Sequence, residues 1–358
     1  MMTTTDPVGH ERTAETETET EREAAPGKAP DPTRRRRSRT RRVLLGALVL
    51  LVVGVLGVAG TLWWAVDHYT GKVDRIPNVF PTNVPESEQP QAAKGGETFL
   101  LVGVDARSDL PTTGRGAEAP EWKRGAQRSD TMMLVHLPAD HKRAYVVSLP
   151  RDSWVSIPGN GKAKLNAAFS WGGPPLLIDT VQRLTDLKVD HLAVIDWSGF
   201  KTLTDDIGGV DLAGKHMNGE QALTYVRERY NLPRGDLDRT HRQQAFLRAV
   251  IAKTLTKDSM SNPLKAKELL DQVTGVVSVD DRLSDGDLRD LMWSMRGVRA
   301  GDMVFMNAPV GGLDMIKGQS VVLLDDNGSE QLWEAMRNDT MDEYVANHSL
   351  DRLGSSTP

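Results

Sequence analysis

RSDTMMLVHLPADHKRAYVVSLPRD, residues 128–152, is the stretch that decides the fold. It holds two apolar runs, TMMLVHL (131–137) and AYVVSL (144–149), each of a length typical of a buried strand. Because the polar connection at 138–142 is short, the two runs are predicted to pair as an antiparallel hairpin. Asp130 and Arg151 flank the hairpin at its open end, so we expect them to share one edge of a sheet.

Apolar runs on both sides of this hairpin predict further buried strands, at 98–104, 191–196 and 303–310. Between the strands, apolar residues recur with helical spacing. Helices are predicted at 175–187, at 198–207, in two pieces over 219–257 with a break at 231–233, at 288–298 and at 330–336. This alternation predicts an α/β fold in which a mixed central sheet is sandwiched between helices (α/β/α).

Composition divides the chain into five parts. The parts are a disordered cytoplasmic tail (1–42), one transmembrane helix (43–66), an extracytoplasmic stalk (67–96), the catalytic domain (97–345) and a flexible C-terminal tail (346–358). The tail contains almost no bulky apolar side chains and ends in a basic run with seven arginines. The segment 43–66 carries no charge and is long enough to span a bilayer.

The basic run before the apolar segment predicts a single-pass protein of the cell membrane. By the positive-inside rule the N-terminus stays in the cytoplasm and the folded domain lies outside. Trp63 and Trp64 stand where an aromatic belt is expected. The alternative is a cleaved signal peptide, whose apolar region is usually shorter and ends in small residues.

The formal net charge of −5 argues against a nucleic-acid partner, which favours a strongly basic domain. The absence of cysteine excludes disulfides and thiolate metal sites. The sequence also lacks the phosphate-binding GxxxxGK[ST] loop, a GxGxxG loop after a strand, HExxH and GxSxG.

Pairs of arginine and aspartate mark the ends of three predicted strands. Asp105 and Arg107 follow the first strand, Arg128 and Asp130 precede the second, and Arg151 and Asp152 follow the third. Any one of these charges alone is explained by loop solvation. If the first strand runs parallel to the third, all three pairs meet at one edge, where open α/β sheets bind ligands.

A second cluster lies in YVRERYNLPRGDLDRTHRQQAFLRAVI (225–251). Asn218 is the predicted N-cap of the first helix, and Asp236 or Asp238 is the predicted cap of the second. On the second helix Arg239, Arg242 and Gln243 share one face at i, i+3 and i+4, and the same stripe continues into apolar residues. Together with Arg227 and Arg229 this inward-facing positive charge suits a multiply charged anion such as a diphosphate.

The carboxylates within this positive cluster fit a divalent cation. Two aspartates from the set Asp105, Asp130 and Asp236 could bridge magnesium to phosphate oxygens, because hard cations prefer oxygen ligands. The segments at 148–159 and 164–173 add Lys164 as a further substrate-binding candidate. Their aromatic residues are explained either by core packing or as a lining for a glycan or lipid.

The chain resembles the LytR-CpsA-Psr family of cell-wall glycopolymer transferases. The matching stretches occur in the family's order from about Glu97 onward. They are FLLVGVDARSD, RSDTMMLVHL, RAYVVSLPRDSWVSIPG, KLNAAFSWGG, DHLAVIDWSGFKTLTDDIGGVDL, MNGEQALTYVRERY and GDLDRTHRQQAFLRAVI. The Gly/Pro-rich stretch between Asp109 and Gln127 departs from the family pattern and is expected to form a mobile rim loop.

The resemblance implies an activity and a role for each site residue. The activity is magnesium- or manganese-dependent transfer of a phosphoglycan from a polyprenyl diphosphate, whose chain occupies an apolar tunnel, to a peptidoglycan hydroxyl. Catalytic roles fall to Asp105, Asp130, Arg151, Arg227 and Asp236, with Asp105 and Asp130 holding the metal and Asp236 orienting arginines or acting as base. Substrate binding falls to Arg107, Arg128, Lys164, Arg229, Arg239, Arg242 and Gln243.

Two other functions use the same residues. A hydrolase would cleave the lipid diphosphate with water in place of a sugar hydroxyl. A non-catalytic envelope regulator would bind the same lipid without turnover. The expected partners in each case are the lipid-linked glycan and the membrane, and the transferase adds a peptidoglycan acceptor.

Overall fold

The computed structural model describes residues 73–105, 111–115, 117, 122, 124–125, 127–228, 236–254, 256 and 263–348. The predicted tail (1–42) and membrane helix (43–66) lie outside these residues. Within the described part of the chain, no helix is both long and apolar enough to cross a membrane.

Among the described residues, seven strands form the central sheet and six further strands form three hairpins. Those of the sheet are β1 (Asp74–Ile76), β2 (Glu97–Asp105), β3 (Arg128–Leu137), β4 (Ala144–Ser148), β7 (His191–Asp196), β10 (Val277–Asp280) and β11 (Met303–Asn307). The hairpins are β5 (Trp154–Ile157) with β6 (Gly161–Lys164), β8 (Val210–Leu212) with β9 (Lys215–Met217), and β12 (Val310–Ile316) with β13 (Gln319–Leu324). The sheet order is β1-β10-β7-β2-β3-β4-β11.

Eight α-helices complete the described fold, with three short 3₁₀ turns at 86–88, 295–297 and 300–302. The helices are α1 (Leu165–Thr185), α2 (Trp197–Asp206), α3 (Gly219–Arg227), α4 (Asp236–Thr254), α5 (Pro263–Val276), α6 (Asp285–Ser294), α7 (Asp326–Arg337) and α8 (Met341–Asn347). The predicted mixed sheet between helices is confirmed, because its strands pair in both parallel and antiparallel senses.

The predicted hairpin is present and sets the sheet edge at which the charges collect. β3 pairs antiparallel with β2 on one side and with β4 on the other, so β2 and β4 run parallel. The register places Asp105, the last residue of β2, opposite Arg128, the first residue of β3. Asp105, Arg128, Asp130 and Arg151 therefore lie at one end of the sheet, as predicted from the strand directions.

Two apolar cores cover the two faces of the sheet. On one face Leu134 and Val147 pack with Leu177 of α1 and Trp333 of α7. On the other face Val146 packs in a cluster that contains Phe200 of α2 and Phe246 of α4. Alternate residues of β4 thus enter opposite cores, which explains why this strand is buried over its whole length.

The N-terminal and central boundaries differ from the prediction in two places. Asp74–Ile76 is an edge strand of the main sheet, and Val79 and Phe80 are buried, so the folded domain begins inside the predicted stalk. In the predicted rim loop, Thr112 and Thr113 are buried and hydrogen-bonded rather than free of the fold. Polar composition did not reveal these long-range contacts.

The predicted strand at 303–310 is also shorter than expected. It ends at Asn307 and is followed, after Pro309, by the separate hairpin β12–β13. Proline has no N–H to donate to the sheet, so the ladder ends there and the chain turns away.

Asp196, the last residue of β7, connects the buried part of the 109–127 stretch to the sheet by hydrogen bonds. Its Oδ2 accepts hydrogen bonds from the Thr112 amide at 2.6 Å and the Thr112 hydroxyl at 2.9 Å. Its Oδ1 accepts from the Gly199 amide at 2.7 Å and so caps α2. One buried carboxylate therefore satisfies donors of both segments.

Replacing Asp196 by alanine should lower the free energy of unfolding by about 3 kcal/mol, because it removes a helix cap and leaves buried donors without acceptors. Urea-induced unfolding followed by tryptophan fluorescence measures the change. Asp211→Ala, at an exposed carboxylate in the β8–β9 hairpin, is the matched control and should change stability by less than about 0.5 kcal/mol. Equal effects of the two substitutions would contradict the assignment.

Candidate active site

The edge formed by β2, β3 and β4 carries an ion pair that is largely withdrawn from solvent. The Nη1 atom of Arg151 donates a short hydrogen bond to Oδ1 of Asp130, and each side chain is only 10% exposed. Asp130 and Arg151, which were predicted to lie close together, are therefore in direct contact. A guanidinium and a carboxylate fixed in this way are held in one geometry before any ligand arrives.

Two further charged residues, Asp152 and Lys164, lie next to this ion pair. The Nε atom of Arg151 lies 3.8 Å from Asp152 Oδ2, and Lys164 Nζ lies 3.1 Å from Asp152 Oδ1. Lys164 ends β6 and stands directly before α1. Arg151 and Asp152 follow the same predicted strand, whereas the contact of Asp152 with Lys164 depends on how the β5–β6 hairpin folds back.

A large cavity of about 560 Å³ opens beside this chain of charges. Arg128, Arg151 and Lys164 contribute the cationic part of its wall, and Asp152 contributes a carboxylate. The remaining lining residues are Gly125, Asn166, Ala167, Ser170, Trp171 and Gln319. Of the aromatic residues whose role the sequence left open, Trp171 lines this cavity and Phe169 is buried in the core.

A small cavity of about 20 Å³ lies on the helical side of the ion pair. Asp130, Arg227, Arg239 and Gln243 form its polar lining, and Trp197 and Val226 form its apolar lining. Because Asp130 lines the small cavity and its partner Arg151 lines the large one, the ion pair forms part of the wall between them.

Helix α4 presents its polar residues inward, as the spacing predicted. Arg239 and Gln243 are buried, and the same stripe continues with buried Phe246 and Val250. Gln244 holds the helix against the sheet, since its Nε2 atom lies within 2.9 Å of Ser148 Oγ, the Met306 carbonyl and Asn307 Oδ1. These hydrogen bonds hold α4 against the sheet and so fix the positions of Arg239 and Gln243 relative to the strand ends.

Arg227, at the end of α3, is the exposed member of the small cavity. The first turn of α3 is held by the predicted N-cap Asn218, which forms a capping box with Gln221. At the other end Arg227 Nη2 lies 3.9 Å from Asp105 Oδ2, and its guanidinium lies 5.4 Å from the centre of the Trp197 ring. Arg227 therefore links the helical and sheet parts of the site.

Arg242 does not join the site. Its Nη1 atom donates to Glu228 Oε2 at 2.7 Å and to the Tyr225 carbonyl at 3.3 Å, and its guanidinium stacks 4.4 Å above the Tyr225 ring. The prediction that Arg242 binds substrate is therefore not supported by its position, because these contacts use its charge to join α4 to α3. Helical spacing placed it on the correct face but did not reveal Glu228.

The side chains of three other candidates are not described. Arg107 and Arg229 lie outside the described residues. Asp236 is the first residue of α4, but its side chain is not among those described. Of the remaining predicted residues, Arg128, Arg151 and Lys164 line the large cavity, and Asp130, Arg227, Arg239 and Gln243 line the small one. Asp105 lines neither of these two cavities but lies 3.9 Å from Arg227.

Trp197 and Gln319 are two of the lining residues that the sequence did not single out. Trp197 begins α2, where a tryptophan after a strand has no distinctive signal. Gln319 begins β13 and reaches the large cavity only because Val322 of the same strand donates a backbone hydrogen bond to the Asp152 carbonyl. Both positions depend on long-range contacts that sequence periodicity does not report.

Asp105 and Asp130 bring two carboxylates, the ligand type that hard divalent cations prefer, to the same end of the sheet. Among the residues described, no group of three or more acidic or histidine side chains is arranged to hold a metal ion. A cation at this edge would therefore complete its shell with phosphate oxygens and water, which magnesium commonly does. The donor chemistry fits magnesium or manganese shared with a phosphorylated ligand.

The family model and the similar proteins identify the same family. The model of the LytR_cpsA_psr family matches residues 78–216 and 212–338. The chain is 31% identical over 309 residues to the probable cell wall biosynthesis protein LcpB of Corynebacterium glutamicum, covering 80% of this chain and 69% of that protein. It is 30% identical over 273 residues to the polyisoprenyl-teichoic acid–peptidoglycan teichoic acid transferase TagU of Enterococcus faecalis, covering 71% and 82%.

A solved structure shares the fold. The LytR-Csp2A-Psr enzyme from Actinomyces oris superposes with a TM-score of 0.57 at 20% identity, over 75% of this chain and 97% of that one. At this identity the likeness concerns the architecture of the sheet and its helices.

Removing the charge of Arg227 should weaken binding of inorganic pyrophosphate by roughly thirtyfold, because one charge-assisted hydrogen bond contributes about 2 kcal/mol. Titration calorimetry of Arg227→Gln against the unaltered protein, at two ionic strengths, measures the affinity and its salt dependence. Arg183→Gln, at a surface arginine of α1 paired with Asp179, is the control and should bind pyrophosphate unchanged. A loss of the same size in both variants would show that only general surface charge is involved.

Proposed function

We infer the function from one premise: the chain belongs to the LytR-CpsA-Psr family. Relatives in this family are named as transferases of teichoic acid to peptidoglycan. We propose that this protein transfers a glycopolymer from a polyprenyl diphosphate to a hydroxyl of peptidoglycan, with release of polyprenyl phosphate. The observation that carries the proposal is that Arg227, Arg239 and Gln243 lie together beside an apolar cluster and next to the Asp130–Arg151 ion pair.

The walls of the small cavity match the two ends of such a lipid. Arg227, Arg239 and Gln243 supply donors for phosphate oxygens. Trp197 and Val226 belong to the same apolar cluster as Phe200, Phe246 and Phe305. A diphosphate bound by the arginines would therefore leave its hydrocarbon chain next to this cluster. The apolar tunnel expected for the chain remains a proposal.

The transfer forms one phosphorus–oxygen bond and breaks another. The acceptor hydroxyl attacks the phosphorus that carries the glycan, and the bridging oxygen leaves with the lipid monophosphate. The hydroxyl proton passes to a base or to solvent. Arg227 and Arg239 would stabilise negative charge that develops on the phosphate oxygens and the departing phosphate. Arg151 would act from the other side of the wall by holding the Asp130 carboxylate in place.

Asp105 and Asp130 are the residues that would hold magnesium, or manganese in its place. When bound, the cation would neutralise phosphate oxygens and so support departure of the lipid phosphate. Asp105 also lies near Arg227, which would keep that guanidinium directed toward the sheet edge. Asp236 remains a candidate for orienting arginines or accepting the proton.

The proposal includes attachment to the cell membrane. The uncharged segment 43–66 would form the single transmembrane helix, and the seven arginines before it would keep the N-terminus in the cytoplasm. The catalytic domain would then face the outer side of the membrane, where both a lipid-linked glycan and peptidoglycan are accessible to it.

Full-length protein in detergent, supplied with magnesium, a lipid-linked glycan and peptidoglycan fragments, should attach the glycan to the fragments through one phosphate. Asp105→Asn should lower the rate of this transfer by about a hundredfold, since it weakens both the cation site and the position of Arg227. The matched control is Asp140→Asn, at an exposed carboxylate in the β3–β4 turn at the opposite end of the sheet. Product mass spectrometry and the initial rate are the measurements.

Release of the glycan phosphate into solution, with none on peptidoglycan, would identify a hydrolase and contradict the proposal. Lipid binding without any turnover would instead support a regulatory protein. An equal loss of rate in Asp105→Asn and Asp140→Asn would remove Asp105 from the site.

A further inference from the structure

The β12–β13 hairpin exposes apolar side chains beside the site. Leu313 is 64% exposed and Met315 is 65% exposed. One exposed apolar residue needs no explanation, but these two are at i and i+2 of β12, so their side chains leave the same face of the hairpin. Trp171, another exposed apolar residue, lines the large cavity together with Gln319, the first residue of β13. Exposed apolar surface collected in one region is typical of a contact surface.

The tip of the hairpin combines a lysine with these apolar residues. Lys317 and Gly318 form its two-residue turn, and their φ values of 51° and 75° are those that a type I′ turn requires. Lys317 is exposed, and a lysine next to apolar residues can lay its stem against lipid while its ammonium group reaches the phosphates.

Asp314 limits how deeply this hairpin can enter an apolar phase. Its side chain lies on the face opposite Leu313 and Met315, and its Oδ1 accepts a hydrogen bond from the Met315 amide at 2.7 Å. Burying this carboxylate would cost free energy, so the hairpin suits a shallow contact at the level of lipid headgroups.

The base of the hairpin is fixed to the domain. Val321 and Val322 of β13 are buried, and the Val322 amide donates to the Asp152 carbonyl at 2.9 Å. The Asp325 amide donates to the Pro309 carbonyl at 3.0 Å and closes the other end of the hairpin. The exposed face of β12 is therefore held at a defined position next to the charged end of the sheet.

The N-terminal chain meets the domain at this same end of the sheet, but at the opposite edge. β1 is one edge strand, and β11, which precedes the hairpin, is the other. The registers of β10 and β7 place Asp74 of β1 level with Val102 of β2, and β1 runs antiparallel to β2. The chain that precedes β1 therefore approaches from the end of the sheet at which Asp105 lies.

The segment between the proposed membrane helix and β1 is short. Six residues, 67–72, separate the end of the proposed helix at residue 66 from Val73, the first residue described. Fully extended, the chain from 66 to 73 spans at most about 25 Å. If the protein is attached to the membrane as proposed above, on which this inference rests, the charged end of the sheet stays close to the lipid surface.

We propose that the β12–β13 hairpin docks on the outer surface of the lipid bilayer through Leu313, Met315 and Lys317. The membrane helix then restrains the domain at the β1 edge of the sheet, and the hairpin restrains it at the β11 edge. The charged ends of β2, β3 and β4 lie between these two contacts and face the headgroup layer. A diphosphate carried by a lipid lies at that level, so docking would present the site to its donor.

The test measures the proximity of the hairpin to lipid in full-length protein. The chain contains no cysteine, so Ser320→Cys provides a single labelling site on the same face as its cross-strand partner Met315. The protein, labelled there with an environment-sensitive fluorophore, is placed in nanodiscs of phosphatidylcholine, phosphatidylglycerol and a nitroxide-labelled lipid. The nitroxide should quench about half or more of the fluorescence, because an interfacial segment lies within reach of the acyl boundary. Asp140→Cys, in the β3–β4 turn at the opposite end of the sheet, is the control and should not be quenched.

A second pair of variants tests whether the apolar side chains cause the docking. In the labelled Ser320→Cys protein, replacing Leu313 and Met315 together by serine should lower the quenching about threefold or more, because transfer of both side chains into lipid is lost. Exchanging them, with Leu313→Met and Met315→Leu, keeps the apolar surface and should keep the quenching.

Two results would overturn the inference for a protein that stays in the membrane. The first is equal quenching of the labels at 320 and 140. The second is a blue-shifted label at 320 that the nitroxide lipid does not quench, since the hairpin would then be covered by protein, such as a second copy of the chain. Release of the protein from cell membranes by alkaline carbonate would refute the membrane helix and this inference together. Quenching that depends on Leu313 and Met315, in a protein without transfer activity, would refute the proposed function and support the docking surface.

Discussion

The ion pair between Asp130 and Arg151 is the contact on which the arrangement of the site depends. It joins the start of β3 to the segment that follows β4, at the open end of the hairpin. Moving two charges out of water costs free energy that their attraction only partly recovers, so such a pair is weak evidence for stability. Its clearer consequence is geometric, because it fixes the position of one charged residue in the wall of each cavity.

The packing of the two cores explains why this edge is rigid. Alternate residues of β4 enter cores on opposite faces of the sheet, so the strand that leads to Arg151 is held from both sides. Gln244 anchors α4 to the ends of β4 and β11 and thereby sets the depth of Arg239 and Gln243. Arg227 is the exception, since about half of its side chain is exposed and it lies beside Asp105 and the Trp197 ring. The site therefore combines buried charged residues with an exposed guanidinium at its rim.

The sequence predicted the parts of this site that local periodicity determines. Strand alternation and a short connection placed Asp130 beside Arg151, and helical spacing turned Arg239 and Gln243 inward. It did not separate Arg242 from them, because Glu228 approaches from another helix. The division into two cavities, the position of Gln319 and the buried threonines of the 109–127 stretch also depend on contacts between distant segments, for which a single sequence carries no periodic signal.

The most direct test of the account is a crystal structure of the protein with farnesyl diphosphate and manganese. The account predicts that the diphosphate binds Arg227 and Arg239 beside the Asp130–Arg151 ion pair, that the anomalous signal of manganese lies between the phosphates and Asp105 or Asp130, and that the farnesyl chain extends toward Phe200 and Phe246. A diphosphate that contacts neither Arg227 nor Arg239, or a farnesyl chain that lies away from Phe200 and Phe246, would contradict the account.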